Sequence, residues 1–276
     1  MEDCKKNNLA RKVVAILVII ATFCAGFISG SIYREKQGKE SENSKKVEKE
    51  TSIQETTVEV TTVEMTTAAP KPVPKKYVAL TFDDGPGRYT MELLDTLERY
   101  NAKATFFVCG DGLDRNDAKK ILKRMDALHC DIGNHTVHHA NLSKASVKKL
   151  KKEIKGVDKK VKKFTGHKTK FLRPPYGAGA RSKKLRKYVK TPMICWNVDT
   201  LDWKTKNKKK TVKRATKNIK DGDIILLHDI HSWSVEAVKE IVPTMQKQGY
   251  VFVTVSELAN MKHIKLKKGK AYYDFQ

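Results

Sequence analysis

Residues 80–86 read L-T-F-D-D-G-P, so Asp83 and Asp84 stand side by side at the end of an apolar, β-favouring run. Two adjacent carboxylates repel each other unless something neutralises one of them. A turn accounts for the Gly-Pro that follows; a bound cation would account for the acids. Farther along, His135 and His139 are four residues apart in H-T-V-H-H. On a helical turn that spacing places both imidazoles on one side, where they suit one divalent metal. Neither His135 nor His138 is followed by Glu, which excludes the H-E-x-x-H pattern of metalloproteases. Open hydrolytic zinc sites commonly complete their ligand set with a carboxylate. The acid pair supplies one ligand and leaves one acid free, and the cation's charge relieves their crowding.

These residues need elements to hold them. From Tyr77 onward, short apolar runs (YVALTF, ATFFVCG, CDIGN, FLRPP, PMICWNV, IILLH, YVFVTV) alternate with amphipathic stretches near 90–100, 114–128, 143–163, 180–189, 207–220 and 234–248. Such alternation predicts parallel strands with crossover helices. About seven units in this length suit a distorted, incomplete (β/α) barrel better than an open sheet, and barrel chemistry gathers at the C-terminal ends of strands. Ionisable groups track those ends: Asp83 and Asp84, then His135 to His139, Arg173, Asp199 and Asp202, then His228 and Asp229.

The ordered set T-F-D-D-G-P (81–86), H-T-V-H-H (135–139), R-P-P-Y-G (173–177), D-T-L-D-W (199–203) and L-L-H-D (226–229) resembles the polysaccharide deacetylases, the NodB-homology group or carbohydrate esterase family 4. The resemblance runs from about Tyr77 to Leu258. It implies a catalytic base at Asp83 and a metal triad of Asp84, His135 and His139, with Zn²⁺ the usual ion and Co²⁺ or another divalent ion an alternative. It further implies that Arg173 orients the base, that the backbone N–H of Tyr176 serves an oxyanion, and that His228 is the general acid, tuned by Asp202. Trp203 and Leu226 would wall an acetyl-methyl pocket. Pro175 and Asp199 would support substrate binding. Ala140, where the family often has Pro, and Ile225, where Val or Leu is usual, are mild departures. Amide deacetylation needs an activated water, a stabilised oxyanion and a proton for the leaving amine, and these residue types meet each need.

The sequence has 276 residues and a net charge of +25. Residues 77–276 hold 43 basic and 21 acidic side chains, a net +22. Such a surface attracts polyanions, although Lys-rich helices such as 147–163 equally read as solvated faces. Val13 to Tyr33 carries no charge, is long enough to span a bilayer, and follows Lys5, Lys6, Arg11 and Lys12. The expected organisation is a cytoplasmic N-terminus (1–12), a transmembrane signal-anchor (13–33), a disordered extracellular linker (34–75), the deacetylase-like domain (76–262) and a basic C-terminal tail (263–276). A cleaved signal peptide is the alternative to the anchor. Cys109, Cys130 and Cys195 are too few and too odd in number for a disulfide framework.

Export disfavours nucleic acid as a partner, and no protein partner is evident. The expected location is the bacterial cell membrane with the domain outside, or secretion if the anchor is cleaved. The expected substrate is an acetylated cell-wall glycan, with N-acetylglucosamine of peptidoglycan foremost and anionic wall polymers attracted by charge. Rivals are chitin oligomers, N-acetylmuramic acid, poly-N-acetylglucosamine, acetylxylan, and a catalytically silent wall-binding protein.

Overall fold

The structure, a computed structural model, describes residues 75–276. The expected N-terminal segment, membrane anchor and nearly all of the linker lie outside the described residues. Among the described residues no helix is long and apolar enough to cross a membrane.

Eight strands form: β1 (Lys76–Asp83), β2 (Thr105–Val108), β3 (Asp131–Asn134), β4 (Met193–Ile194), β5 (Val198–Asp199), β6 (Ile224–His228), β7 (Tyr250–Val253) and β8 (Ala271–Tyr272). Every pairing is parallel. One sheet has the order β3-β2-β1-β6-β5, with β7 also paired to β1; β4 and β8 form a separate two-stranded sheet. Strand β1 is central and buried from Val78 to Asp83, as a continuous apolar run between covered faces should be. Eight helices connect and flank the strands: α1 (Thr90–Arg99), α2 (Ala118–Ala127), α3 (Val147–Thr165), α4 (Lys183–Tyr188), α5 (Asp202–Thr205), α6 (Lys208–Thr216), α7 (Ser232–Lys247) and α8 (Val255–Met261).

The helices follow local rules. In α3 the apolar residues Leu150, Val157 and Val161 recur at helical spacing and are buried, while the lysines between them face outward. The Ser146 side chain accepts a hydrogen bond from Lys149 N at its start, and Gly166, with φ 91°, ends it in the left-handed region. Thr254 and Glu257 close a capping box on α8.

Two runs depart from expectation. FLRPP makes no strand: Leu172 forms only isolated bridges, to Asn134 and to Met193. Pro174 and Pro175 lack the N–H that a ladder needs. PMICWNV splits into β4 and β5, separated by Cys195–Asn197. Among the described residues there are therefore eight strands where about seven were expected, and no pairing there joins β4 to β5. Short helices at Asp202–Thr205 and Val255–Met261 add to the six expected.

The main core gathers Leu80, Phe82, Phe106, Ile132 and the inner faces of α1, α2, α3 and α7. A second cluster joins Phe107, Phe171 and Ile194 to Tyr272 and Phe275 of the C-terminal segment. That segment pairs by β8 with β4, in the register Met193↔Ala271 and Ile194↔Tyr272. Because the main strands are parallel, their C-terminal ends fall on one side. Asp83 is in register with His228 across β1 and β6, and Asp199 with Leu226 across β5 and β6. Cys109 follows β2 and Cys130 precedes its parallel neighbour β3; both are buried free thiols, as is Cys195.

Candidate active site

At that side a cavity of about 400 Å³ is lined by Asp83, Asp84, His135, His139, Tyr176, Trp196, Asp199, Trp203, Leu226 and His228. Five separate sequence motifs thus meet in one place.

Asp83, the last residue of β1, is buried. Its Oδ1 accepts from Arg173 Nη1 at 2.8 Å. Arg173 is itself wholly buried. Three of its four other N–H groups are used: Nη1 to Thr81 Oγ1 at 2.9 Å, Nε to Ile194 O at 3.0 Å, and Nη2 to Cys195 O at 2.9 Å. Its guanidinium also lies 4.0 Å from the Phe107 ring centroid. A buried guanidinium tied this fully has one orientation. Burial pushes the Asp83 carboxyl above the usual carboxylate range, against the charge and hydrogen bond of Arg173. A raised pKa makes the ionised form a stronger base than an exposed carboxylate.

Asp84 turns away from β1 with φ 73° and heads the Gly85–Pro86 turn. Gly85 is required there, because an added Cβ would lie 2.2 Å from Asp229 Oδ2. Asp229 is fully buried beneath this turn and accepts from Thr90 Oγ1 at 2.5 Å. Burial raises its pKa to about 7.

Donor atoms of Asp84, His135 and His139 all lie within 4.8 Å of one another. His135 Nε2 is 3.6 Å, and His139 Nε2 3.4 Å, from Asp84 Oδ1. The chemistry of this donor set fits a divalent metal. His135 Nδ1 sits 2.8 Å from Arg173 O, a contact that makes Nδ1 the donor and leaves the Nε2 lone pair facing Asp84. Burial lowers the His135 pKa to about 3, outweighing the pull of Asp84, so the ring is neutral as a ligand must be.

The expected helical turn at 135–139 does not form. Thr136 and His139 have φ 69° and 46°, and the segment is an irregular loop after β3. The loop is tied down by Thr136 N to Asn134 Oδ1 and Ala140 N to Thr136 Oγ1. The two imidazoles meet through these left-handed residues, with ring centroids 4.9 Å apart. His138 points away and bonds Asp111 Oδ1 at 2.7 Å.

Across the cavity, His228 Nδ1 is 2.8 Å from Asp202 Oδ1, and Asp202 Oδ2 accepts from His228 N and Ser234 Oγ. Burial alone would lower His228, but the hydrogen bond and charge of Asp202 outweigh it and raise the pKa to about 9. Burial likewise opposes the charge on Asp202, yet the hydrogen bonds from His228 and Ser234 hold it below the usual carboxylate range.

Tyr176 stands in the left-handed region at φ 61° and is 68% exposed, with its ring edge-on to His139 at 4.5 Å. Trp203, 49% exposed, also lines the cavity, and Leu226 is buried in its wall. Asp199 lines the cavity while its Oδ1 accepts from Leu201 N. Pro175 is buried at the start of the Tyr176 turn and does not line the cavity. Trp196 lines it and was not singled out in the sequence, where it passes for one more apolar residue of PMICWNV. Trp233 was also overlooked; its Nε1 donates to Asp202 O at 3.0 Å and its ring stacks on His231.

The family described as Polysaccharide deacetylase matches residues 70–192. A peptidoglycan-N-acetylglucosamine deacetylase of Listeria monocytogenes is 38% identical over 206 residues, covering 74% of this chain and 43% of that protein. The chain therefore spans less than half the length of that relative. A second protein of that activity, from Bacillus cereus, is 40% identical over 199 residues, covering 68% of this chain and 91% of the other. The structure of a family 4 acetyl xylan esterase from Clostridium thermocellum, in complex with a cobalt ion, is 31% identical and superimposes with a TM-score of 0.67 over 72% of this chain and 98% of that one. Likeness of this extent, in a chain whose five motifs converge on one cavity, establishes that the protein belongs to the polysaccharide deacetylase family.

Proposed function

We propose that the protein hydrolyses N-acetyl groups from an amino-sugar polymer, with N-acetylglucosamine of peptidoglycan as its substrate. The observation that carries this reading is the meeting of a buried, arginine-held Asp83, a three-residue metal cluster and a carboxylate-paired His228 around one cavity. The names of the relatives supply the substrate class. Strand-end placement of the motifs and the Leu172 bridges support reading the fold as a distorted, incomplete (β/α) barrel.

Asp84, His135 and His139 would hold the metal, which we propose is Zn²⁺ with Co²⁺ as an alternative. When bound, it supplies Lewis-acid polarisation of the acetyl carbonyl and makes water a better nucleophile near neutral pH. Asp83 takes a proton from the attacking water, while Arg173 holds its Oδ1 and fixes the direction of Oδ2. The water oxygen bonds the acetyl carbon. The Tyr176 N–H, presented by its left-handed turn, donates to the oxyanion that exists only in the tetrahedral state. His228 Nδ1 is committed to Asp202, so the Nε2 proton passes to the leaving nitrogen as the C–N bond breaks. Acetate and a free amine result. Leu226 and Trp203 enclose the methyl group, Asp199 meets sugar hydroxyls, and Pro175 sets the turn that aims the Tyr176 amide.

A pH dependence follows from the His228–Asp202 pair. The acid form of His228 is present below about pH 9 and is lost as pH rises through that value. Asp202→Asn removes the main cause of the raised pKa. Its alkaline limb in kcat/KM is expected to move down by at least about one pH unit. A limb that stays in place would show that His228 is not the acid.

We further place the protein at the bacterial cell membrane, with residues 13–33 as its anchor and the domain outside. A basic groove of about 790 Å³ beside the 135–139 loop, lined by Lys144, Lys148, Lys149 and Lys152, supports attraction to anionic wall polymers. The test is acetate release by the full chain, metal-stripped and reloaded, from peptidoglycan, an N-acetylglucosamine oligomer and acetylxylan. Metal-dependent release from peptidoglycan above the other two is expected. Release from acetylxylan alone would transfer the reading to ester chemistry, and release from none would overturn it.

A further inference from the structure

Beside the catalytic cavity lies a second one, of about 300 Å³, lined by Tyr176, Gly177, Cys195, Trp196 and Tyr273. The two share Tyr176 and Trp196 as walls. One lining residue, Tyr273, comes from the basic C-terminal segment.

The fold holds Tyr273 there firmly. β8 pairs with β4, and Cys195 N donates to Tyr272 O at 2.8 Å. Successive residues of an extended segment point to opposite sides. Tyr272 is accordingly buried in the second core, and half-buried Tyr273 faces the cavity. Phe275 is also buried, and its N–H donates to Gly222 O at 2.8 Å, so the backbone is pinned on both sides of Tyr273. The Arg181 guanidinium lies 4.6 Å from the Tyr273 ring centroid. Gly177, at φ +64°, leaves the wall open: a Cβ there would stand 3.5 Å from the Trp196 ring.

Chemically the cavity offers three aromatic side chains, one backbone turn and a guanidinium beside one of the rings. Aromatic faces suit the C–H faces of a pyranose, and few convergent polar groups suit its hydroxyls. Trp196 also lies 5.5 Å from the Arg173 guanidinium, so the same ring borders the group that holds Asp83. We propose that this cavity is a subsite for a neighbouring pyranose unit of the glycan, with Tyr273 as its specificity-determining residue. The assignment rests on the glycan reading above and deepens it: the protein should prefer longer chains, and the C-terminal segment should set that preference.

The test is a tryptophan-fluorescence titration of the full chain with the disaccharide and the tetrasaccharide of N-acetylglucosamine. The quantity read is the gain in affinity from dimer to tetramer. Wild type is expected to show a gain of about 10-fold, the worth of roughly 1.4 kcal/mol. Tyr273→Ala is expected to erase most of the gain, and Tyr273→Phe, which keeps the ring, to preserve it. Arg181→Ala changes an exposed residue and keeps the test open if Tyr273→Ala does not fold; it should cut the gain about 3-fold by freeing the ring. An unchanged gain in folded Tyr273→Ala or, where that variant does not fold, in Arg181→Ala, or an equal loss for dimer and tetramer, would overturn the subsite. Binding is read apart from turnover: a tyrosine-dependent gain without acetate release would sink the deacetylase reading and keep the subsite.

Discussion

Asp83→Asn is expected to lower acetate release about 10²–10⁴-fold, the range that general base catalysis contributes. The residual rate should lack the acid limb that Asp83 imposes on the wild type. The substitution keeps the shape of the side chain but leaves the Arg173 charge buried without its counter-charge. Arg173 is wholly enclosed and spends three of its four other N–H donors on Thr81, Ile194 and Cys195. Removing one partner of such a pair costs up to about 3–5 kcal/mol, so the variant should also unfold earlier in urea. Rate and stability therefore need to be measured together, with steady-state assays run well below the onset of unfolding. A folded Asp83→Asn that retained more than a tenth of the wild-type rate would remove Asp83 from the role of base.

Loss of the metal should be as severe. Lewis-acid stabilisation is worth several kcal/mol, or about 10³-fold at roughly 1.4 kcal/mol per decade. Chelation should abolish activity, and adding back Zn²⁺ or Co²⁺ should restore it. His135→Ala should bind less than a tenth as much metal per chain by elemental analysis and should not recover on adding metal. His138→Ala, on the same loop but turned toward Asp111, should retain the metal. If His135→Ala kept a full equivalent, the triad would be wrong regardless of its activity.

How much could be read from residues alone differed from place to place. The end of β1 was readable because its signal is local: an apolar run, two acids and a chain break within seven residues. The helices were readable because Leu150, Val157 and Val161 and their counterparts repeat at helical spacing. The histidine pair was found through a helical rule, although the structure brings the rings together through positive-φ residues. Spacing can reveal nearness while misidentifying the backbone that causes it. The subdivision of PMICWNV could not be read, since apolar runs look alike whether they pair or bend. Nor could the placement of Trp196 and Tyr273, which depends on the long-range pairing of β4 with β8. The complete burial of Arg173 was hidden for the same reason: its partners at 81, 83, 194 and 195 lie far from it in sequence.

That β4–β8 pairing has a consequence for the making of the protein. Ile194, the last residue of β4, and Cys195 just after it lend their carbonyls to Arg173, and β4 pairs with residues 271–272. Asp83, by contrast, leaves the ribosome almost two hundred residues earlier. A nascent chain would thus display its acids and histidines long before the arginine's socket is closed. Competence should switch on only when the final strand emerges, so a chain halted short of Ala271 would be an inert intermediate.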